Sequence, residues 1–336
     1  MIEVRTPCRL HFGLLAYGHA AYRQFGGIGL MVQYPNVVIR VRRQPLGRQF
    51  TSDGPMADRA MAFAKSFADQ AVAEGLIDSV PPVHIRVARV PRPHTGLGAG
   101  TQLAMAVARA LAILIERDDL GVEALAGLVG RGLRSAVGAH GSMAGGLIIE
   151  GGKTEATSLS PLIARLEFPN LWRIVLIRPE QLVGVAGQRE LRAFAELPPI
   201  SSELTARMCQ LALMSLAPAM VERNLDEFGW ALFELQQLAG ESFKTAQGGI
   251  YAHPLLTRIV DFIRNQKIAG VGQSSWGPTL YAITGDDESA ERLAGAVQRR
   301  FGLGSGEVRV TRADNRGCVI RNHSTTVHPA VPRDVT

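Results

Sequence analysis

The chain begins with β-type patterning. Residues 2 to 15, 28 to 34, 36 to 43 (NVVIRVRR) and 83 to 90 (VHIRVARV) alternate or cluster β-branched side chains, which predicts strands. Helices are expected at 55 to 75 and 101 to 117. The second, TQLAMAVARALAILIER, is apolar almost all round and so belongs between layers rather than on a surface. A strand bounded by glycines is read in GSMAGGLIIEGG (141 to 152), and Pro161 and Pro169 mark a turn. The second half opens with the strand LWRIVLIRP. Helices follow at about 201 to 217, 219 to 240 and 254 to 266, then the strand PTLYAIT, a helix at 286 to 301 and the strand EVRVTRA. Strands split by helices predict an α+β fold of two domains, 1–168 and 169–322. Residues 323–336 lack apolar periodicity and read as a flexible tail.

Composition narrows the class. A chain of 336 residues with 46% hydrophobic and 20% charged residues can bury a core in each of two domains. No run of eighteen apolar residues and no cationic leader is found, and Cys8, Cys209 and Cys318 have no metal-ligand or disulfide spacing. The expectation is a cytoplasmic protein that does not enter a membrane. Net charge is +6, but the basic residues are scattered, so nucleic acid is not an expected partner. Only Lys65, Lys153, Lys244 and Lys267 among the 36 basic residues are lysines, which leaves 32 arginines. Arginine's planar fork suits phosphate and carboxylate groups.

The segment richest in chemistry is Pro91-Arg-Pro-His-Thr-Gly-Leu-Gly-Ala-Gly-Thr-Gln-Leu-Ala104. Gly96, Gly98 and Gly100 let the backbone approach a ligand, and a helix opening near Thr101 presents unpaired N–H groups, the makings of a phosphate cradle. A purely structural glycine turn is the plainer alternative. GGLIIEGGKT is a near miss for a Walker A loop, since five residues separate Gly146 from Gly152 and no helix follows Lys153. A dinucleotide fold is disfavoured because the loop comes late, after a β layer. Gly302–Gly306 reads as a connector, and Asp286, Asp287 and Glu288 as the start of a helix.

The PxxxGLGxGxxxA pattern resembles the central phosphate loop of the GHMP superfamily, which includes galactokinase, homoserine kinase and mevalonate kinase. Thr6 to Gly13 resembles its first motif and Gly270 to Thr279 its third, in the right order. RLHFGL, GGIGL, HTGLGAGTQLA, GSMAGGLIIEGG and GQSSWGPT resemble the β-ribofuranosylaminobenzene 5'-phosphate synthase family within it. The resemblance implies a ribosomal-protein-S5-domain-2-like N-terminal layer and a ferredoxin-like C-terminal α/β sandwich. It also implies a reaction of tetrahydromethanopterin biosynthesis, a one-carbon pathway. There, phosphoribosyl pyrophosphate condenses with 4-aminobenzoate or 4-hydroxybenzoate, releasing CO2 and pyrophosphate. Mevalonate-type kinases carry a catalytic aspartate before the Gly-Gly strand, whereas residues 120 to 225 contain no Asp. An ATP-dependent GHMP small-molecule kinase is the alternative activity, and a non-catalytic nucleotide sensor a third reading.

The resemblance implies Mg2+ as cofactor, with Thr101 near the metal, and pyrophosphate held by Gly96, Gly98, Gly100, Thr101 and Gln102, with Ser274, Ser275 and Gly277 closing from the other domain. Arg9, Arg23 and Arg92 are candidates for the 5'-phosphate or the benzoate carboxylate. His140, followed by His11 and His94, are candidates for proton transfer, each with a structural hydrogen-bonded histidine as the plainer reading. Ser142 joins the site through the His140 segment, and Trp276 is a candidate for stacking on an aryl ring. A homodimer is the common assembly for such enzymes.

Overall fold

In the computed structural model, residues 1–18, 23–45, 47, 49–154, 159–184 and 196–322 are described. The expected tail lies outside them. The strands are β1 (Ile2–Ala16), β2 (Phe25–Arg43), β3 (Thr51–Asp53), β4 (Val83–Arg89), β5 (Leu147–Glu150), β6 (Leu162–Leu166), β7 (Arg173–Ile177), β8 (Val271–Gln273), β9 (Leu280–Thr284), β10 (Val308–Thr311) and β11 (Val319–Asn322). The helices are α1 (Ala57–Ala73), α2 (Ala99–Leu114), α3 (Val122–Leu128), α4 (Val137–Ala144), α5 (Ser202–Leu211), α6 (Ala217–Val221), α7 (Leu225–Gln247), α8 (Pro254–Asn265) and α9 (Asp287–Phe301), with a π turn at Ala212–Leu216.

One sheet runs β11-β1-β2-β4-β3, with β5 paired to β2 and β6 to β5. Its apolar face is covered by α1 and by α2, whose buried residues span nearly its whole circumference, as its sequence demands. The second sheet runs β10-β7-β9-β8, all antiparallel, the order and helix placement of a ferredoxin-like unit. Strict alternation explains its continuous apolar strands. Val175, Ile177, Leu280 and Ala282 face α8 and α9, while Ile174, Leu176, Tyr281 and Ile283 turn to the opposite core. Both faces are buried. The last strand departs from a simple division at residue 168, because β11 returns to pair with β1.

Several boundaries differ from the sequence reading for identifiable reasons. The break expected at Pro35 lies inside β2, where Pro35 lacks an N–H and pairing slips between Pro7 and Cys8. Pro218 does not end its helix but sits in the first turn of α6. The true stop is at Arg223, with positive φ, and Asn224, whose side chain accepts the Glu227 N–H to start α7. In GSMAGGLIIEGG the first residues are the end of α4, so only Leu147–Glu150 is strand. Met208 and Met220 are core, but Met214, between them in the same apolar run, is 72% exposed. The helical run Ser202–Val221 is long and apolar enough to compare with membrane spans (mean hydropathy 1.3), yet it packs through Met208, Leu211, Leu216 and Met220.

The sheets meet at Phe12 of β1, whose ring lies 5.1 Å from that of Tyr281 in β9. Gln236 of α7 bridges the same seam. Its amide N–H donates to the Phe12 carbonyl, and its oxygen accepts the Gln273 N–H at 2.8 Å. Replacing it with a leucine orphans two buried backbone groups. Gln236→Leu is expected to cost roughly 2–5 kcal/mol, read as a lower denaturant midpoint at unchanged slope.

Candidate active site

Gly98 takes φ 70° and α2 begins at Ala99, with neither a side-chain cap nor an acidic residue in its first turn. The first N–H groups of such a helix have no intrahelical partner, and the dipole adds positive potential there. These N–H groups open into a cleft of about 520 Å³ shared by both halves of the molecule.

The second glycine loop closes this cleft by backbone contact. A Cβ at Gly96 would lie 2.2 Å from the Ser274 carbonyl oxygen, and one at Gly277 would lie 2.1 Å from the Gly96 nitrogen. No other residue fits either position. Ser274 fastens the junction: its hydroxyl donates to the Gly96 carbonyl at 2.7 Å and accepts the His11 N–H at 3.0 Å.

Arginines dominate the walls. Arg9 lies across Gly98 and donates to the Gly96 carbonyl at 3.0 Å, while Arg59 of α1 lies across Gly100. Arg131, in the turn after α3, stacks on Phe63 at 4.5 Å and faces Arg59. Burial and the Arg59 charge push the Arg131 guanidinium down to about 10, so it stays charged at neutral pH. Its Nε is buried and finds no acceptor among the described residues. Arg134 completes the set, and no Asp or Glu lines the cleft among the described residues. Partly buried like charges held together without a carboxylate are relieved by a bound polyanion.

The remaining wall is aromatic and amide. Phe243 and Trp276 pack with ring centroids 5.0 Å apart, near Ile250 and the side chains of Gln236, Gln247 and Gln273. His11 also lines the cleft, with its Nε2 3.0 Å from the Ser135 hydroxyl. Burial first, and then the neighbouring Arg9 charge, hold its pKa well below 6.5, so the ring is neutral.

The cleft thus brings together Arg9, His11, His94, Gly96, Gly98, Gly100, Thr101, Ser275, Trp276 and Gly277. Other sequence candidates lie elsewhere. His140 turns its Nε2 to the Ser160 carbonyl at 2.7 Å and shares a separate recess with Arg23, whose guanidinium is taken by the Gly151 and Gly152 carbonyls. Arg92 is exposed outside the cleft lining. Gln102 is fully buried and donates to the Gly138 carbonyl, and Ser142 donates to the Ala139 carbonyl within α4. Ser274 serves as the latch rather than as a lining group. Sequence reasoning missed Arg59, Arg131, Arg134, Ser135 and Phe243. Only the Arg131-Gly-Leu-Arg-Ser135 turn carries a local signal, two arginines beside a glycine just before α4.

His11 makes a pH test possible. Below about pH 6.5 the unfolded chain takes up a proton that folded His11 refuses. Its contribution to stability is therefore present above that pH and is lost as pH falls, by at most about 1.4 kcal/mol per pH unit. The difference in unfolding free energy between pH 7.5 and 5.5 is expected to be smaller in His11→Gln than in the wild type.

Residues 216–303 match the family described as GHMP kinases C terminal. The fold resembles homoserine kinase from Cytophaga hutchinsonii (TM-score 0.67, 16% identity, 95% of this chain and 97% of that one). It also resembles mevalonate diphosphate decarboxylase from Staphylococcus aureus (TM-score 0.67, 13% identity, 96% and 99%). Identities that low establish the fold and no more. In sequence, the chain is 32% identical to the beta-ribofuranosylphenol 5'-phosphate synthase of Methanothermobacter thermautotrophicus, over 94% of this chain and 97% of that protein. It is 33% identical to the protein of the same name from Archaeoglobus fulgidus, over 95% and 99%. With GHMP architecture and end-to-end similarity to these relatives, the chain belongs to the β-ribofuranosylphenol 5'-phosphate synthase family.

Proposed function

We propose that this enzyme joins phosphoribosyl pyrophosphate to a para-substituted benzoate, with release of CO2 and pyrophosphate, and that 4-hydroxybenzoate is the arene. The observation that carries the reading is an uncapped helix start set among four arginines, in a cleft that no carboxylate lines among the described residues. That field suits a donor phosphorylated at both ends together with an acceptor bearing a carboxylate. It does not suit alcohol activation by a carboxylate base, the step a mevalonate-type kinase needs. The choice of hydroxy over amino arene follows the phenol in the relatives' name.

On this reading the diphosphate sits on the N–H groups at the start of α2, between Arg59 and Arg131, which take up charge as the C1–oxygen bond of the ribose breaks. Phe243 and Trp276 form the wall against which the arene lies, holding its carboxylate-bearing carbon toward the ribose. Attack by that carbon and loss of CO2 restore the aromatic ring, so no side-chain nucleophile is required. The residues do not fit a resident metal. Thr101 offers one hydroxyl, and no group of three or more His, Cys, Asp or Glu side chains is assembled among the described residues. We count Mg2+ with the substrate, as the chelate of its diphosphate. The product then belongs to tetrahydromethanopterin biosynthesis, and the reaction to the cytoplasm.

Purified protein given phosphoribosyl pyrophosphate, Mg2+ and carboxyl-labelled 4-hydroxybenzoate is expected to release labelled CO2 without ATP. Arg59→Met and Arg131→Met are each expected to raise KM for phosphoribosyl pyrophosphate by about 10- to 100-fold, since each removes a charged hydrogen bond of about 1.5–3 kcal/mol. ATP consumption with a small alcohol, and no CO2, would establish a kinase instead.

A further inference from the structure

Behind His11 lies a chain of hydrogen bonds that the phosphate-binding machinery does not use. The Ser135 hydroxyl donates to Glu150 Oε1 at 2.6 Å, and the other carboxylate oxygen accepts the Ala136 N–H at 2.9 Å. Having given its proton to Glu150, Ser135 can only accept from His11 Nε2, 3.0 Å away. The imidazole therefore carries its proton on Nε2. Its Nδ1 keeps a lone pair, claimed by no group among the described residues, on a ring that lines the cleft.

Three strands and a loop build this arrangement on purpose. His11 is on β1 and Glu150 on β5, flanking β2 from either side, and Gly27 of β2 pairs with Glu150 across the sheet. A Cβ at Gly27 would stand 2.9 Å from Glu150 Oε1 and 3.3 Å from His11 Nε2. The bare backbone at Gly27 makes room for the contact. Glu150 is 1% exposed, a cost in desolvation that a merely decorative carboxylate would not meet.

We propose that Ser135 and Glu150 are positioning residues that fix His11 in the Nε2–H tautomer, so that Nδ1 takes the phenolic proton of 4-hydroxybenzoate and later returns it. The inference rests on the reading of the activity given above. Proton transfer to Nδ1 leaves a phenolate, whose electron pair moves through the ring to the para carbon. That carbon bonds to C1 of the ribose as the C1–oxygen bond breaks and pyrophosphate leaves with its electron pair. The bond to the carboxylate then breaks, its pair restoring the aromatic phenolate, and Nδ1 gives the proton back. Nothing is oxidised or reduced. The charges around the imidazole are Arg9 on its own strand, Arg134 next to Ser135, and Glu150, which also feels Lys153. Burial, and after it the Arg9 charge, hold the ring neutral in the free enzyme; a bound diphosphate offsets the Arg9 part, so the base strengthens when substrate is present.

An amino group donates its lone pair without first losing a proton, so 4-aminobenzoate needs no base. Ser135→Ala and Glu150→Gln are expected to lower kcat on 4-hydroxybenzoate about 10- to 100-fold, and His11→Gln about 10²- to 10⁴-fold. On 4-aminobenzoate each loss should be at least tenfold smaller. The deficit should also shrink with 3-fluoro-4-hydroxybenzoate, whose phenol is more acidic. Equal losses on both arenes, or losses indifferent to fluorine, would overturn the relay while leaving the activity standing. A second readout does not depend on turnover. In the ¹⁵N-histidine-labelled full chain, His11 should show the Nε2–H tautomer, becoming mixed in Ser135→Ala, and an Nδ1–H tautomer in the wild type would overturn it. If no benzoate is consumed at all, the reading of the activity fails and this spectrum alone judges the relay.

Discussion

The cleft exists because two glycine loops from opposite halves of the chain touch main chain to main chain. The loop before α2 follows β4 of the first sheet, and its partner joins β8 to β9 of the second. At Gly96 and Gly277 the separation leaves no space for even a methyl group. Such contact is useful only if both halves are held in register, which is the task of Phe12 against Tyr281 and of the Gln236 bridge. Ser274 then couples the junction to β1 by a single hydroxyl, so the strand bearing Arg9 and His11 moves with the loops. The residues proposed as anion site, base and aromatic wall are therefore mounted on strands, helices and the loops fastened between them, as precise chemistry requires.

Electrostatics gives this common scaffold its particular chemistry. Solved relatives with TM-scores near 0.67 include a homoserine kinase and a decarboxylase, so the backbone alone leaves the reaction open. The charged side chains lining the cleft are of one sign among the described residues. Arg59 and Arg131 sit close enough for one to depress the other, and the Arg131 Nε is left without an acceptor among the described residues. The folded protein carries that repulsion as a standing cost, which an incoming polyanion relieves. The Glu150 carboxylate is withdrawn behind Ser135, where the proposed relay has it steer a proton without repelling the phosphates.

Much of this was legible in the sequence, and the exceptions have physical causes. The three glycine motifs, the all-apolar α2 and the alternating strands are local signals, and each corresponds to what the fold places at the site. Charge partners are not local. Arg59 lies in the middle of a helix, and only tertiary packing sets it across Gly100. His140 follows the cleft residue Ser135 by five positions, yet helical phase in α4 turns its ring to Ser160. Gln102 and Ser142 likewise sit at motif positions but are buried, the Gln102 amide N–H donating to the Gly138 carbonyl and the Ser142 hydroxyl to the Ala139 carbonyl. Phe243 is invisible as a site residue because the helix expected to end at residue 240 runs on to Gln247 and carries it to the cleft wall. Element ends failed where proline was taken as a stop, since Pro218 is tolerated in a first turn while Asn224 provides the real cap.

The central claim is that the main-chain N–H groups opening α2 hold the diphosphate of a phosphoribosyl donor. A crystal structure of the full chain with phosphoribosyl pyrophosphate and Mg2+ measures this directly. The account expects diphosphate oxygens about 2.7–3.1 Å from the N–H groups of residues 99 to 101, with Arg59 and Arg131 in contact. Diphosphate bound in another recess, such as that of Arg23 and His140, with the helix start vacant, would contradict it.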